Sequence, residues 1–470
     1  MKQSLAKNTA IIAVGKICTQ LISFLLLPLY TNILTPEEYG ITDIITILIM
    51  LVVPIITLQI EQGIYRELID FRDNEEKKKN IITSSVSSVF FQNVIYIVIF
   101  VILSIFIKNK YKYFLLFNTI AYIFNSIFLQ IVRGLGDNVK YSIGSFICAF
   151  STIIFNIVFL AYFKLGAYGM LLGNLLGYLC SVFYLLFSAK LYNYFKMKFL
   201  DKNIIIKLLK YSIPLVPNAI CWCIFSASDR MIANLFLGVS SVGILAASLK
   251  FSNLLSSTYS VFHISWIESI SLNIKKDEGK KFFNEMFNLV FFLFCSISIL
   301  MIALMPIIFD ILIDNKYDFG YMLIPISIIA ALTNVFVSLI TAIYYGFKDT
   351  KSIAKTSFYA AILNVIIHLT TVKFIGLYAA PISTFAAYFL VSIFRYFDIN
   401  KKYCPVSINK CNLIITLLTY FIVIVFYYFR STLYVIVGII IALLYCYYIN
   451  RKSIMLIFNF IFKKEKLYGK

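Results

Sequence analysis

Apolar residues fill this chain in long unbroken runs, separated by short polar stretches. About 20 apolar residues in helical form cross a hydrocarbon core roughly 30 Å thick. The first run, Thr9–Tyr30, meets that length, and no small-residue cleavage site follows it, so it reads as a retained spanning helix. Further runs lie near 41–60, 81–107, 113–132, 142–163, 167–189, 212–235, 244–272, 282–312, 321–345, 357–372, 376–394, 411–429 and 432–449. The pattern predicts an all-α integral membrane protein with about 14 transmembrane helices. Pro28, Pro54, Pro214 and Pro217 are expected to bend helices or loosen their ends.

The order of landmarks repeats. A shift of 203 carries Lys7, Leu34 and Gly40 onto Lys210, Leu237 and Gly243, and a shift of 212 carries Gly134 and Asp137 onto Gly346 and Asp349. At 208, Asn156 falls on Asn364; at 210, Gly166, Tyr168 and Tyr178 fall on Gly376, Tyr378 and Tyr388. Each copy holds six spans, an even number, so both enter the membrane in the same orientation. The expected architecture is two parallel six-helix lobes, 1–200 and 201–398, around a central cleft, with two accessory helices over 399–450 and a basic tail over 451–470. Gly169, Gly173 and Gly177 recur every four residues, and Ala379, Ser383 and Ala387 take their places in the second copy. Such small-residue stripes let helices approach closely in lipid.

Composition sharpens this. The chain is 61% hydrophobic and only 14% charged, against roughly 25% charged for a soluble domain, which excludes a large soluble enzyme. Nine scattered cysteines form neither a disulfide framework nor a metal-ligand spacing. The net charge of +20 is topological: alternate connections, with both termini, carry 32 Lys and Arg, the opposite side carries 7, and Lys16, Arg230 and Lys250 lie inside spans. Positive residues mark the cytoplasmic side, so both termini are expected there. Nucleic acid is not needed to explain the charge. The outer connections are too short to house a glycosyltransferase or polymerase site, and no phosphate loop, paired-carboxylate motif or cofactor signature stands in the inner ones. No enzyme activity, metal or cofactor is expected.

Ionisable residues within a bilayer usually face an interior cavity. Lys16, Gln20 and Ser23 share one face of the first span, and Lys250, Asn253, Ser257, Ser260 and Glu268 share a face of the eighth. The seventh carries Asn218, Asp229 and Arg230. Lys16, Gln20, Asn218, Arg230, Lys250 and Asn253 are therefore candidate substrate-binding residues, and Asp229 and Glu268 candidate ion-coupling residues. Competing readings stand beside these: Asp229 and Arg230 as a structural ion pair, Lys16 and Lys250 as snorkelling side chains, Glu268 as a mouth residue.

Leu5–Ala6–Lys7–Asn8–Thr9, Pro28, and Leu34–Thr35–Pro36–Glu37–Glu38–Tyr39–Gly40 resemble the opening of bacterial polysaccharide transporters. Lys210–Tyr211–Ser212–Ile213–Pro214–Leu215–Val216–Pro217–Asn218, Ser228–Asp229–Arg230 and Leu237–Gly238 to Gly243 resemble the start of their second lobe, and Gly63 to Arg66 is also similar. Ile244 departs from the pattern, where an aromatic is frequent. These are the O-antigen and capsule flippases of the multidrug/oligosaccharidyl-lipid/polysaccharide exporter superfamily. The resemblance implies a flippase moving an undecaprenyl-pyrophosphate-linked oligosaccharide to the outer leaflet, working beside a polymerase and chain-length proteins of the same pathway. The rivals are an ion-coupled multidrug and toxin extruder of the same superfamily and a membrane-embedded polymerase or ligase. Three basic groups against Asp229 within the spans favour an anionic substrate.

Overall fold

The computed structural model describes residues 24, 26–106, 108–274, 277–347, 349–403 and 406–468, without the side chains of 452–468 and a few others. Among these residues the only regular elements are helices. Twelve stretches are long and apolar enough to span a membrane, and one of them, Thr350–Lys402, contains two helices joined by a tight turn at Gly376–Tyr378. The expected first span lies almost wholly outside the described residues. The others correspond to the apolar runs of the sequence.

The chain divides into two compact units, Met1–Ala246 and Ala247–Lys470. The first contains α1 (Leu27–Ile33), α2 (Pro36–Thr57), α3 (Ile60–Asp70), α4 (Glu75–Ser104), α5 (Lys112–Gly134), α6 (Asn138–Asn156), α7 (Ala167–Ser188), α8 (Lys202–Ser212) and α9 (Val216–Leu237). The next helix, α10 (Val239–Asn273), begins in the first unit and continues in the second. The rest are α11 (Asp277–Leu312), α12 (Phe319–Gly346), α13 (Thr350–Ile375), α14 (Ala379–Lys402), α15 (Lys410–Phe429) and α16 (Thr432–Tyr468).

The motif over 34–40 starts α2, and each of its residues has a physical task. Thr35 caps the helix, accepting from the Glu38 N–H at 3.2 Å while the Glu38 carboxylate accepts from the Thr35 N–H at 3.1 Å. Pro36 occupies the first turn, where its missing N–H is no loss. Tyr39 is buried and stacks on Tyr30 with centroids 6.0 Å apart. Gly40 lies so close to α10 that a Cβ there would stand 2.1 Å from the Val239 carbonyl oxygen, and one on Gly243 would stand 1.8 Å from that of Pro36. Two glycines matched by the repeat thus allow one close backbone crossing.

Small residues also join α6 to α7. A Cβ on Gly173 would meet Asn156 Oδ1 at 2.0 Å, and one on Gly177 would meet Thr152 Oγ1 at 1.9 Å. In lipid, where burial of apolar surface drives no helix association, this close approach and the polar contacts it permits hold helices together. The second unit has the matching arrangement, in which Asn364 on α13 donates to Ser383 and Thr384 of α14 at 3.3 and 3.0 Å. The accessory helices are firmly docked: Tyr321 and Tyr427 stack at 4.2 Å and each hydroxyl donates to the other's carbonyl, while Asn450 donates to Ser296 at 2.7 Å.

Pro214 lies in a short turn, Ile213–Leu215, that separates α8 from α9, and Pro217 sits in the first turn of α9. A second break was not expected from the sequence. Leu58 and Gln59 adopt left-handed backbone angles, φ 51° and 57°, so α2 stops three residues after Pro54 and α3 restarts at Ile60. Residues 61–70, which the sequence pattern assigns to a connection, are therefore helical, and Gly63 lets α3 rest on Leu208 and Ser212 of α8.

Candidate functional site

In the first unit the intramembrane charges converge on α2 and α9. Arg230 Nε donates to Asp43 Oδ2 at 3.2 Å, with the two side chains 13% and 20% exposed, and Arg230 Nη1 donates to the Ser226 carbonyl at 3.0 Å. Asp229, the neighbour in sequence, is buried. Successive residues on a helix diverge by about 100°, so Asp229 and Arg230 could not both face Asp43. Asn218 is exposed in the first turn of α9. One helical face further along, Cys223 Sγ lies 3.1 Å from the Met50 carbonyl, which fixes α9 against α2 along its length.

A second polar group follows the break between α2 and α3. Gln92 of α4 donates to the Thr57 carbonyl at 3.3 Å, an oxygen freed because α2 ends there. Glu61, one turn beyond, is 6% exposed, and its Oε2 is buried with no hydrogen-bond partner. It lies within electrostatic reach of Tyr122, whose ring meets Tyr178 edge-on at 5.4 Å. A buried carboxylate oxygen left open is a place where a proton or cation can be taken up.

The remaining expected residues fall outside the described set or in the second unit. Lys16 and Gln20 lie outside the described residues. Lys250 is half-buried and Asn253 exposed, one turn apart on α10 in the second unit. Glu268 lies on the same helix, its side chain outside the described set. The structure thus gives Arg230 a carboxylate partner within the first unit.

Sequence reasoning passed over three residues. Asp43 stands in an apolar run, and the rule that picked out Arg230 applies to it equally. Glu61 was counted with a connection because the run ends at about residue 60. Arg395 stands just past the apolar run 376–394 and so reads as a loop cation, yet it is 3% exposed within α14. Its guanidinium donates to Thr341 Oγ1 (2.5 Å), Thr356 Oγ1 (2.6 and 2.9 Å), Ser357 Oγ (3.1 Å) and the Ile353 carbonyl (3.3 Å), every acceptor neutral.

The family model for polysaccharide biosynthesis proteins matches residues 5–267. No curated protein matches the chain significantly. Among solved structures, a multidrug resistance MATE family transporter of the MOP superfamily, in its inward-facing conformation, is similar over 83% of this chain and 98% of its own, with a TM-score of 0.63 and 14% identity. An outward-facing MATE family transporter is similar over 84% and 95%, with a TM-score of 0.60 and 14% identity. A MOP superfamily transporter from Pyrococcus furiosus, described as having a binding pocket of reverse polarity that suggests a different function, matches over 84% and 96% with a TM-score of 0.53 and 14% identity. The fold is that of MOP-superfamily transporters, and the family match over more than half its length places this multi-pass membrane protein in the polysaccharide biosynthesis protein family.

Proposed function

We propose that the protein is a flippase that carries an undecaprenyl-pyrophosphate-linked oligosaccharide from the cytoplasmic to the outer leaflet of a bacterial inner membrane. The observation that carries this reading is the coincidence of a polysaccharide-biosynthesis family match with a transporter fold. A glycan pathway needs a transporter where its intermediates are built on one side of the membrane and used on the other, by the polymerase and chain-length proteins downstream. The asymmetry of Lys and Arg supports cytoplasmic termini, and the ordered repeat supports lobes over 1–200 and 201–398 that rock about a cleft.

Arg230 is the group on which the mechanism turns. In this conformation Asp43 neutralises it. A pyrophosphate offers the guanidinium a stronger, doubly charged partner, and Asp43, once released, takes up a proton or cation. Exchange of partners makes substrate affinity differ between conformations, as any ligand-driven shift requires. Asn218, Asn253, Lys16, Gln20 and Lys250 would then bind sugars and phosphate, and Asp229, Glu268 or Glu61 would hold the coupling ion.

A second reading, an ion-coupled drug extruder, is favoured by the same ion pair: with Arg230 neutralised, the excess of basic over acidic groups within the spans shrinks. Depletion in the native host separates the two. A membrane-impermeant sugar-modifying enzyme applied to intact and lysed spheroplasts is expected to find the lipid-linked oligosaccharide trapped on the inner face, with Arg230→Ala failing to rescue. Unchanged sidedness in a host with no redundant transporter would put the drug extruder first.

A further inference from the structure

The repeat that matches Gly134 and Asp137 to Gly346 and Asp349 also sets Gly144 against Thr356, and the shift that matches Gly166 to Gly376 sets Leu185 against Arg395. The structure pairs the same positions in both halves. Leu185 is fully buried against Gly144, where a Cβ would stand 2.7 Å from Leu185 Cδ2, and Arg395 is buried against Thr356. One half closes this seam with a leucine, so the fold itself has no need of a cation there.

Arg395 lies behind a groove of about 420 Å³ between α13 and α14. The groove is walled by Leu363, Leu390 and Phe394, and Lys355 and Lys402 stand at its polar end. Asp398 lines it too, but this carboxylate is already matched by Lys402 Nζ at 2.8 Å and accepts from the Tyr344 hydroxyl at 2.7 Å. Asp349 also stands within electrostatic reach of Lys402, so Arg395, Lys355 and Lys402 exceed these two carboxylates by one positive charge. Lys401 adds to it from an adjoining hollow lined by Ile393, Phe397 and Asp398. The surrounding helix faces expose Phe358, Ile362 and Ile366 on α13 and Ile393, Phe394 and Phe397 on α14, the outward apolar ladders of spanning helices that meet lipid tails.

We propose that this groove binds an anionic phospholipid of the surrounding bilayer, its phosphate at Lys355 and Lys402 and an acyl chain along Leu363, Leu390 and Phe394. An apolar slot ending in an excess of positive charge at the membrane surface complements that molecule better than a zwitterionic one. The buried Arg395 strengthens the attraction from within low dielectric, where its field is poorly screened. A sugar-bearing head would need walls of amides and hydroxyls, and the lining offers only Ser352, Thr356 and Tyr359.

The test is native mass spectrometry of the full-length, delipidated protein with phosphatidylglycerol or phosphatidylcholine. Phosphatidylglycerol is expected to be retained about fivefold better or more, and K355Q to lose about fivefold, the effect of one lysine near an anionic surface. K355R restores retention, and K351Q, on the same helix outside the groove, leaves it unchanged. K355Q leaves the Lys402–Asp398 pair in place, and a helical circular-dichroism spectrum identifies folded protein. Equal retention of the two lipids, or K355Q matching K351Q, overturns the proposal. Displacement of phosphatidylglycerol by equimolar undecaprenyl pyrophosphate also overturns it, assigning the groove to the transported lipid. Binding is read without transport, so failure of the flippase reading leaves this result intact.

Discussion

Leu185 and Arg395 occupy matched positions in the two halves, and their surroundings differ by a few atoms. Leu185 fills the space over Gly144; Arg395 sits over Thr356, with Thr341 and Ser357 completing a ring of oxygens. Helix packing in this protein thus specifies volume first and polarity second. A guanidinium fits wherever hydroxyls replace hydrogen and methyl groups around it, and a buried cation becomes an added feature of one half. Leu185→Arg places the same cation over a glycine in place of the Thr356 hydroxyl, beside a Ser181 hydroxyl already donated to the Gly144 carbonyl, and an uncompensated buried charge costs about 3–5 kcal/mol. Thermal unfolding of the detergent-solubilised protein should show collapse of the folded fraction. The converse, Arg395→Leu, should leave the melting temperature nearly unchanged, because Thr341 and Thr356 already donate to the Val337 and Ser352 carbonyls and an apolar replacement of a buried ion is often neutral or stabilising. A melting temperature for Leu185→Arg equal to that of the unsubstituted protein would show that the two seams are interchangeable.

Arg230 differs from Arg395 in that its partner is a carboxylate. Asp43→Asn or Arg230→Met alone leaves one partly buried charge unmatched and should lower stability by about 2 kcal/mol, whereas the double substitution should recover most of that. The cycle is read from the melting temperatures of four variants. Additive losses would mean that the 3.2 Å contact carries no coupling, and the partner exchange proposed for transport would lose its basis.

The spans and their order were legible because a bilayer enforces runs of about 20 apolar residues, and the Thr35–Pro36–Glu38 start was legible because capping is local. The glycine and aspartate landmarks were legible as a repeat before their task was known: Gly134 and Gly346 end helices, and Asp137 and Asp349 cap the next ones. What escaped was non-local or lay at the edges of runs. Asp43 and Arg230 are 187 residues apart in the chain, and no periodicity joins them. Arg395 follows the last residue of an apolar run and so passed for a loop cation, and Glu61 is drawn inward by a left-handed break at Leu58–Gln59 that no glycine announces.

The two capping aspartates give the smallest effect and a second test of matched positions. Both accept the N–H three residues on, Asp137 from Lys140 at 3.0 Å and Asp349 from Ser352 at 3.1 Å. Asp137 adds an ion pair to Lys140 Nζ at 2.7 Å, and Asp349 adds the Tyr403 hydroxyl at 2.8 Å. The bonds donated by Ser352 and Tyr403 hold the Asp349 carboxyl below its ordinary value, and Asp349 in turn pushes the Tyr403 phenol up to about 12. A depressed carboxyl stabilises the fold above its unfolded value, about 3.9, and loses that contribution as pH falls through its lower folded value. A raised phenol stabilises below its unfolded value, about 10, and loses its contribution as pH rises through about 12. The contact therefore has a plateau between those limits, and Asp349→Asn should lower stability there by about 1 kcal/mol, while Tyr403→Phe should remove the alkaline limb and, by taking a donor from Asp349, shrink the acid one. Exposed ion pairs add little, so Asp137→Asn should cost no more than Asp349→Asn, despite the formal charge on its partner. A larger loss at Asp137, measured by thermal unfolding at pH 7, would show that the lysine and not the cap holds the first of these two helix starts.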